Sequence, residues 1–213
     1  MQAATINKEG QDPGSTGRIL AAAEALFAEQ GFEAASMSAI AARAGVSKAN
    51  IFHHFSSKNA LYLAVLNHAC RESRARIELL EHGHGNFVER LTQYAAAHLQ
   101  GMLEHAHLTR IILRDVLEND PERCKILAEQ VFGHNFAKLV DIIRNGQTRG
   151  ELRPDIDPAM VAVMIIAANL YFFEARSVLC HFPDVDFAQD PQRYSFKLMQ
   201  LMLHGLRPEG GQS

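Results

Sequence analysis

Apolar residues recur at spacings of three and four along most of the chain, and the strict alternation of a half-buried strand is missing. The first such face, Ile19, Ala22, Ala23, Leu26 and Phe27, predicts a helix. It starts after Ser15 or Thr16, and Gly31 closes it as a C-cap. Shorter helices are predicted over 38–44 and 48–54. A long one opens near Lys58, with Ser57 as its N-cap, and runs towards Leu80. Further helices are expected over 87–104, 108–118, 121–145, 158–179 and 191–206, and Pro158 stands at a favoured first-turn position. The reading is all-α, with about nine helices.

The two short helices flank Ala44-Gly45-Val46-Ser47. Gly45 tolerates the left-handed backbone that ends a helix abruptly. Val46 is apolar inside a turn and fills the space between the helices, and Ser47 caps the second helix. With Ile40, Ala41, Ala44, Val46 and Ile51 directed inward, this is a helix-turn-helix pattern. Lys48, Asn50, Phe52, His53 and His54 are left to face outward. Those types suit DNA: a lysine reaches guanine edges or phosphate, an asparagine pairs with adenine, and a ring packs on sugar or a thymine methyl. Lys58 opens the next helix, where backbone amides and an ammonium together favour phosphate.

Charge supports this locally but not globally. The chain has 213 residues, 47% hydrophobic and 21% charged, with a formal net charge of -3. No acidic residue stands between Glu33 and Glu72, whereas Arg43, Lys48, Lys58, Arg71 and three histidines do. The composition excludes a disordered chain and a collagen. The apolar stretch from Ala159 to Phe173 is short for a membrane span and is interrupted by Asn169. The first residues lack a secretory pattern, and three well-separated cysteines fit a reduced compartment, so a cytoplasmic protein with no membrane partner is expected.

The first 65 or so residues resemble the DNA-binding domain of the tetracycline-repressor (TetR) family of bacterial regulators. The matching features are Arg18-Ile19-Leu20, Ala25-Leu26-Phe27, Gly31-Phe32, Ser36, Ile40-Ala41, Ala44-Gly45-Val46-Ser47, Ile51-Phe52-His53-His54-Phe55, Lys58 and Leu61. The resemblance implies a flexible arm over 1–14 and a three-helix DNA-binding domain over 15–62. A helical ligand-sensing and dimerising domain over 63–207 and a tail over 208–213 complete the layout. Met37, Ser38, Lys48, Asn50, Phe52, His54 and Lys58 fall on the family's DNA-contacting positions. Ser36 stands where the family has a capping Thr, and Ser47 and His53 belong to the same surface. Arg18 is a further phosphate candidate. A Tyr is common at the position of Phe52; without that hydroxyl, Phe52 keeps a van der Waals role. A repressor released from its operator by an inducer is the family expectation.

A two-turn reading helix contacts few bases, so two copies on a palindromic operator are expected. The stripe Tyr194, Leu198, Leu201 and Gly205 on the last helix is the candidate homodimer surface. A hydrophobic small-molecule pocket is expected among the middle helices, bounded by His98, Met102, Phe132, Asn169 and Phe173. Two other readings are kept. One is a ligand-independent architectural, nucleoid-associated DNA-binding protein on the same fold. The other is a helical metal protein or enzyme. The pairs His82/His84 and His105/His107 invite a metal, but zinc needs three or four convergent ligands, and helical residues two apart diverge by about 200 degrees. No hydrolase, phosphate-loop or metalloprotease motif occurs. No metal, cofactor or catalytic residue is therefore expected.

Overall fold

The computed structural model describes residues 13–206, and all the regular structure there is helical. The helices are α1 (Pro13–Ala34), α2 (Met37–Ala44), α3 (Lys48–His54), α4 (Lys58–His82), α5 (Phe87–Glu104), α6 (Ala106–Glu118), α7 (Pro121–Ile126), α8 (Gly133–Thr148), α9 (Pro158–Leu179) and α10 (Pro191–Leu206). A π-helical turn, Leu127–Phe132, joins α7 to α8. Counting that rod as one, the described residues form nine helical rods. The arm before Pro13 and the tail after Leu206 lie outside the described residues.

The chain divides into two compact units, meeting between Leu66 and Asn67 within α4. In the first, α1 begins three to four residues before its expected start and passes Gly31, whose φ of 82° and ψ of 168° break the helix. Ser36 accepts from the Ala39 amide and opens α2. Gly45, at φ 66° and ψ 36°, closes α2, with its amide donating to the Ala41 and Ala42 carbonyls. Ser47 accepts from the Asn50 amide and opens α3. Ile19, Ala23, Phe27, Ile40, Ile51 and Leu61 are fully enclosed. Phe27, Phe32 and Tyr62 form an aromatic triangle with centroids 4.9 to 5.8 Å apart.

In the second unit, α5 opens with a capping box of Asn86 and Glu89 and packs on α9 and α10, while α8 packs on α9. The core falls into two apolar clusters. The larger includes Leu91, Tyr94, Ala95, Leu139, Ile143 and Ile165; the smaller is Leu99, Phe172 and Phe173, with Met102 and Tyr194 packed on it. The expected single helix over 121–145 is interrupted by the π turn. A Cβ at Gly133 would lie 2.6 Å from the Ala128 carbonyl oxygen, so glycine suits the wider turn.

At 22 residues, α9 is longer than its apolar stretch, and by length and composition alone it is able to cross a membrane. One face is nevertheless core: Val161, Ala162, Ile165, Asn169, Phe172 and Phe173 are buried. The opposite face carries Met160, Met164, Tyr171 and Val178 exposed at helical spacing.

Candidate nucleic-acid interface

The outward face of the first unit is built by caps. Ser47 fixes the first turn of α3, and burial of Ile51 on the opposite side leaves Lys48, Phe52 and His53 exposed. The Lys48 ammonium stands 5.9 Å from the centre of the Phe52 ring, so cation and ring form one patch. Asn50 is half-buried, and its carboxamide oxygen has no hydrogen-bond partner. Ser36, Ser38 and Ser47 are exposed at the openings of α2 and α3, and Arg18 is exposed on α1. A neutral amide, hydroxyls and one ammonium on capped helix starts offer donors to phosphate and to base edges.

Three candidates point elsewhere. Met37 is buried and belongs to the core. Its side chain starts the inner face of α2, where it packs. His54 is half-buried, with Nε2 3.2 Å from the Ser15 hydroxyl, and ties the end of α3 to the start of α1. Lys58 donates to the carbonyls of Phe32 and Glu33 and so clamps the end of α1. These partners lie 25 to 39 residues away in sequence, beyond the reach of local pattern.

In the second unit the structure brings His98 and Asn169 together. The Asn169 Nδ2 donates to the Ala95 carbonyl at 2.9 Å and to His98 Nδ1 at 3.1 Å. Burial, and secondarily the Arg76 charge, hold His98 down at about 4, so the ring is neutral. Met102 and Phe173 meet in the smaller cluster. Phe132 stands half-buried in the π turn, and Phe136, one turn on, packs against the larger cluster. An open groove of about 390 Å³ lies between α5 and α10, lined by Val88, Thr92, Phe196 and Leu203 among others; none of the five candidate ligand residues lines it. Arg76 escaped the sequence reading, although Gly101, a glycine inside a helix, signals the close approach of another group. A Cβ there would overlap the Arg76 guanidinium.

Of the dimer candidates, Tyr194 is engaged within its own chain. It stacks on Phe172 at 4.0 Å and donates to the Ala168 carbonyl at 2.6 Å. Leu198 is half-buried, while Leu201 is 74% exposed and Gly205 is open. Among the described residues, no three His, Cys, Asp or Glu side chains converge as metal ligands would.

Comparison with known proteins agrees with this geometry. The profile of bacterial regulatory proteins, tetR family, matches residues 19–65, and that of the Tetracyclin repressor-like C-terminal domain matches residues 82–176. The chain is 29% identical over 152 residues to the transcriptional regulator UidR of Escherichia coli, covering 70% of this chain and 74% of that one. It is 28% identical over 153 residues to the transcriptional repressor KstR2 of Mycobacterium tuberculosis, covering 71% and 76%. The fold is similar to that of FadR from Bacillus subtilis, solved with stearoyl-CoA. The TM-score is 0.74 at 19% identity, over 89% of this chain and 98% of that one. A capped helix-turn-helix with an open reading face, joined to a helical second unit and matched in both parts, places this chain in the tetR family of bacterial DNA-binding transcriptional regulators.

Proposed function

We propose that the protein is a homodimeric repressor that binds a palindromic operator through α3 and releases it when a hydrophobic small molecule enters the second unit. The observation that carries the DNA assignment is the exposed face of α3, where Lys48, Phe52 and His53 stand free of the core behind the Ser47 cap. Lys48, Ser38 and Arg18 serve as phosphate or base-edge donors, and Asn50 reads a base. Residues 15–62 form the DNA-binding domain and 63–207 the sensing and dimerising domain. The protein works in the cytoplasm with no membrane partner, and it has no catalytic role.

Dimerisation is supported by the apolar stripe on α9. Tyr171 is 66% exposed there, and Met160, Met164 and Val178 continue its line. Exposed apolar surface of this extent is costly for a monomer in water. A second copy is the occupant, because one two-turn reading helix contacts too few bases for a useful site. A signal reaches α3 along α4, which is continuous from Lys58 to His82. KstR2 bears the name of a repressor, and the Bacillus subtilis FadR structure holds an acyl thioester, which supports both the repressing direction and an apolar ligand.

The test is footprinting on the DNA flanking the gene, followed by a promoter fusion with and without the protein. A protected palindrome and lower transcription are expected. Absence of any protected sequence, or transcription raised by the protein, overturns the reading.

A further inference from the structure

Five lysines stand among the described residues, and four are engaged. Lys58 donates to the Phe32 and Glu33 carbonyls. Lys138 pairs with Glu81 at 2.6 Å, and Lys197 pairs with Asp186 at 2.8 Å. Lys125 reaches Glu129 at 3.9 Å, but both side chains are well exposed, and water leaves such a pair little strength. Lys48 differs. Among the described residues it has neither a carboxylate nor a carbonyl partner, and its ammonium stands 5.9 Å from the centre of the Phe52 ring.

Sequence and fold together keep it so. No acidic residue stands between Glu33 and Glu72, and the Glu29 carboxylate on α1 is bonded to Arg43 at 2.7 Å. Ser47 caps α3 and holds Lys48, exposed, as its first residue. An ε-amine with no partner is open to an activated acyl group, whereas the hydrogen bonds of Lys58 tie its ammonium to backbone. Acylation turns the cation into a neutral amide and deletes a donor to phosphate and guanine from the reading face. The short acyl chain then has the Phe52 ring, 45% exposed, to lie against.

We propose that Lys48 is a site of Nε-acylation by a small acyl phosphate, and that the modification keeps the protein off its operator. The phosphate of the donor is drawn to the same acid-free segment that receives the DNA backbone. The amine, its ammonium proton lost to water, attacks the carbonyl carbon. The C–N bond forms and the C–O bond to phosphate breaks. Phosphate leaves with that electron pair and takes the surplus proton of the nitrogen. Operator DNA covers the same face, so bound protein is shielded and free protein is modified. This rests on the DNA-binding reading of α3 above and adds a second input that does not pass through α4.

The experiment treats the full-length protein with acetyl phosphate, with and without excess operator duplex selected from a random pool. Peptide mass spectrometry reads acetyl occupancy at each lysine, and titration reads operator affinity. Lys48 and Lys125 are acetylated severalfold faster than Lys58, Lys138 and Lys197. The operator slows acetylation at Lys48 and leaves Lys125 unchanged. Treated wild type binds its operator at least roughly tenfold more weakly, the weight of one charge-assisted hydrogen bond, and with a shallower salt dependence. Lys125→Arg loses affinity on treatment as the wild type does. Lys48→Arg, whatever its starting affinity, is not weakened by treatment, because a guanidinium keeps its charge. Lys48 acetylated no faster than Lys58, Lys48 unshielded by the operator, or treated Lys48→Arg weakened as much as the wild type overturns the proposal and leaves the DNA-binding reading standing. If the untreated protein selects no operator, the DNA-binding reading falls and takes the acylation switch with it.

Discussion

The Lys58 ammonium donates to the carbonyl oxygens of Phe32, at 2.8 Å, and Glu33, at 3.1 Å, and stands 4.4 Å from the centre of the Phe32 ring. Those carbonyls follow the break at Gly31, where the helix no longer satisfies them. A charge committed to the end of α1 is poorly placed to neutralise a phosphate as well. Lys58→Met should lower the stability of the first unit by about 1–3 kcal/mol. It should weaken binding to all duplexes alike, with the slope of log affinity against log salt unchanged. Lys48→Met should make that slope shallower by about one. Titrations at several salt concentrations decide it: a slope reduced by one in Lys58→Met returns the ammonium to the phosphates.

Asn50 offers an amide at the first turn of α3, held there by Ser47 accepting from its backbone N–H at 3.1 Å. Its carboxamide oxygen is buried without a partner, so reading a base edge requires the amide to turn outward, where both its groups can be satisfied. Asn50→Ala should cost about 1–3 kcal/mol on the preferred operator and relax the choice at one base pair. Single-base-pair operator variants provide the measurement. An equal loss on every variant would show that Asn50 positions α3 without reading sequence.

His98 makes stability depend on pH. Its folded value is about 4, against 6.5 for a free imidazole. Between these values the unfolded chain binds the extra proton, so stability is full above about 6.5 and is lost as pH falls towards 4. The full loss is on the order of 3 kcal/mol. Arg76 from α4, Tyr94 from α5 and Asn169 from α9 are the groups around it. Urea unfolding at pH 7 and pH 5 should show a larger drop for the wild type than for His98→Gln.

The exposed stripe gives a test of assembly. Tyr171→Glu and Leu201→Glu each put a charge on surface that the proposed dimer covers, 66% and 74% exposed respectively in the single chain. Neither side chain is part of the core, so helical content should hold while light scattering reports a monomer and operator affinity collapses. A wild type that is monomeric at micromolar concentration would refute the dimer.

What was legible in the sequence was mostly local. Ser36, Gly45 and Ser47 act on amides and carbonyls within five residues, and their types alone fixed the boundaries of α2 and α3. The partners of His54 and Lys58, Ser15 and the Phe32 and Glu33 carbonyls, were not legible because they come from α1, and an outward charge looks the same in sequence as a clamp. Met37 stands at a family contact position, yet tertiary packing buries it. His98 and Asn169 were each recognisable as polar residues on apolar faces. Their bond spans 71 residues, and only the fold joins them. The π turn was not read because the one-residue slip it makes in the apolar spacing is small beside the ordinary irregularity of a helical face, and its flanking residues keep right-handed helical angles.

That turn has a consequence for how the length of the chain is able to change. Leu127 and Leu139, both buried, are twelve residues apart, which in an uninterrupted α-helix sets them about 120 degrees around the axis from each other. The wide turn absorbs one residue and brings them back towards one side. Removing the exposed Gln130 would leave eleven residues between them, about 20 degrees apart in plain α-helix, so the buried line would survive the deletion. Leu127–Phe132 is therefore a place where this lineage is free to gain or lose a single residue without rethreading its core, and homologues one residue shorter here should carry a straight helix and have no need of glycine at 133.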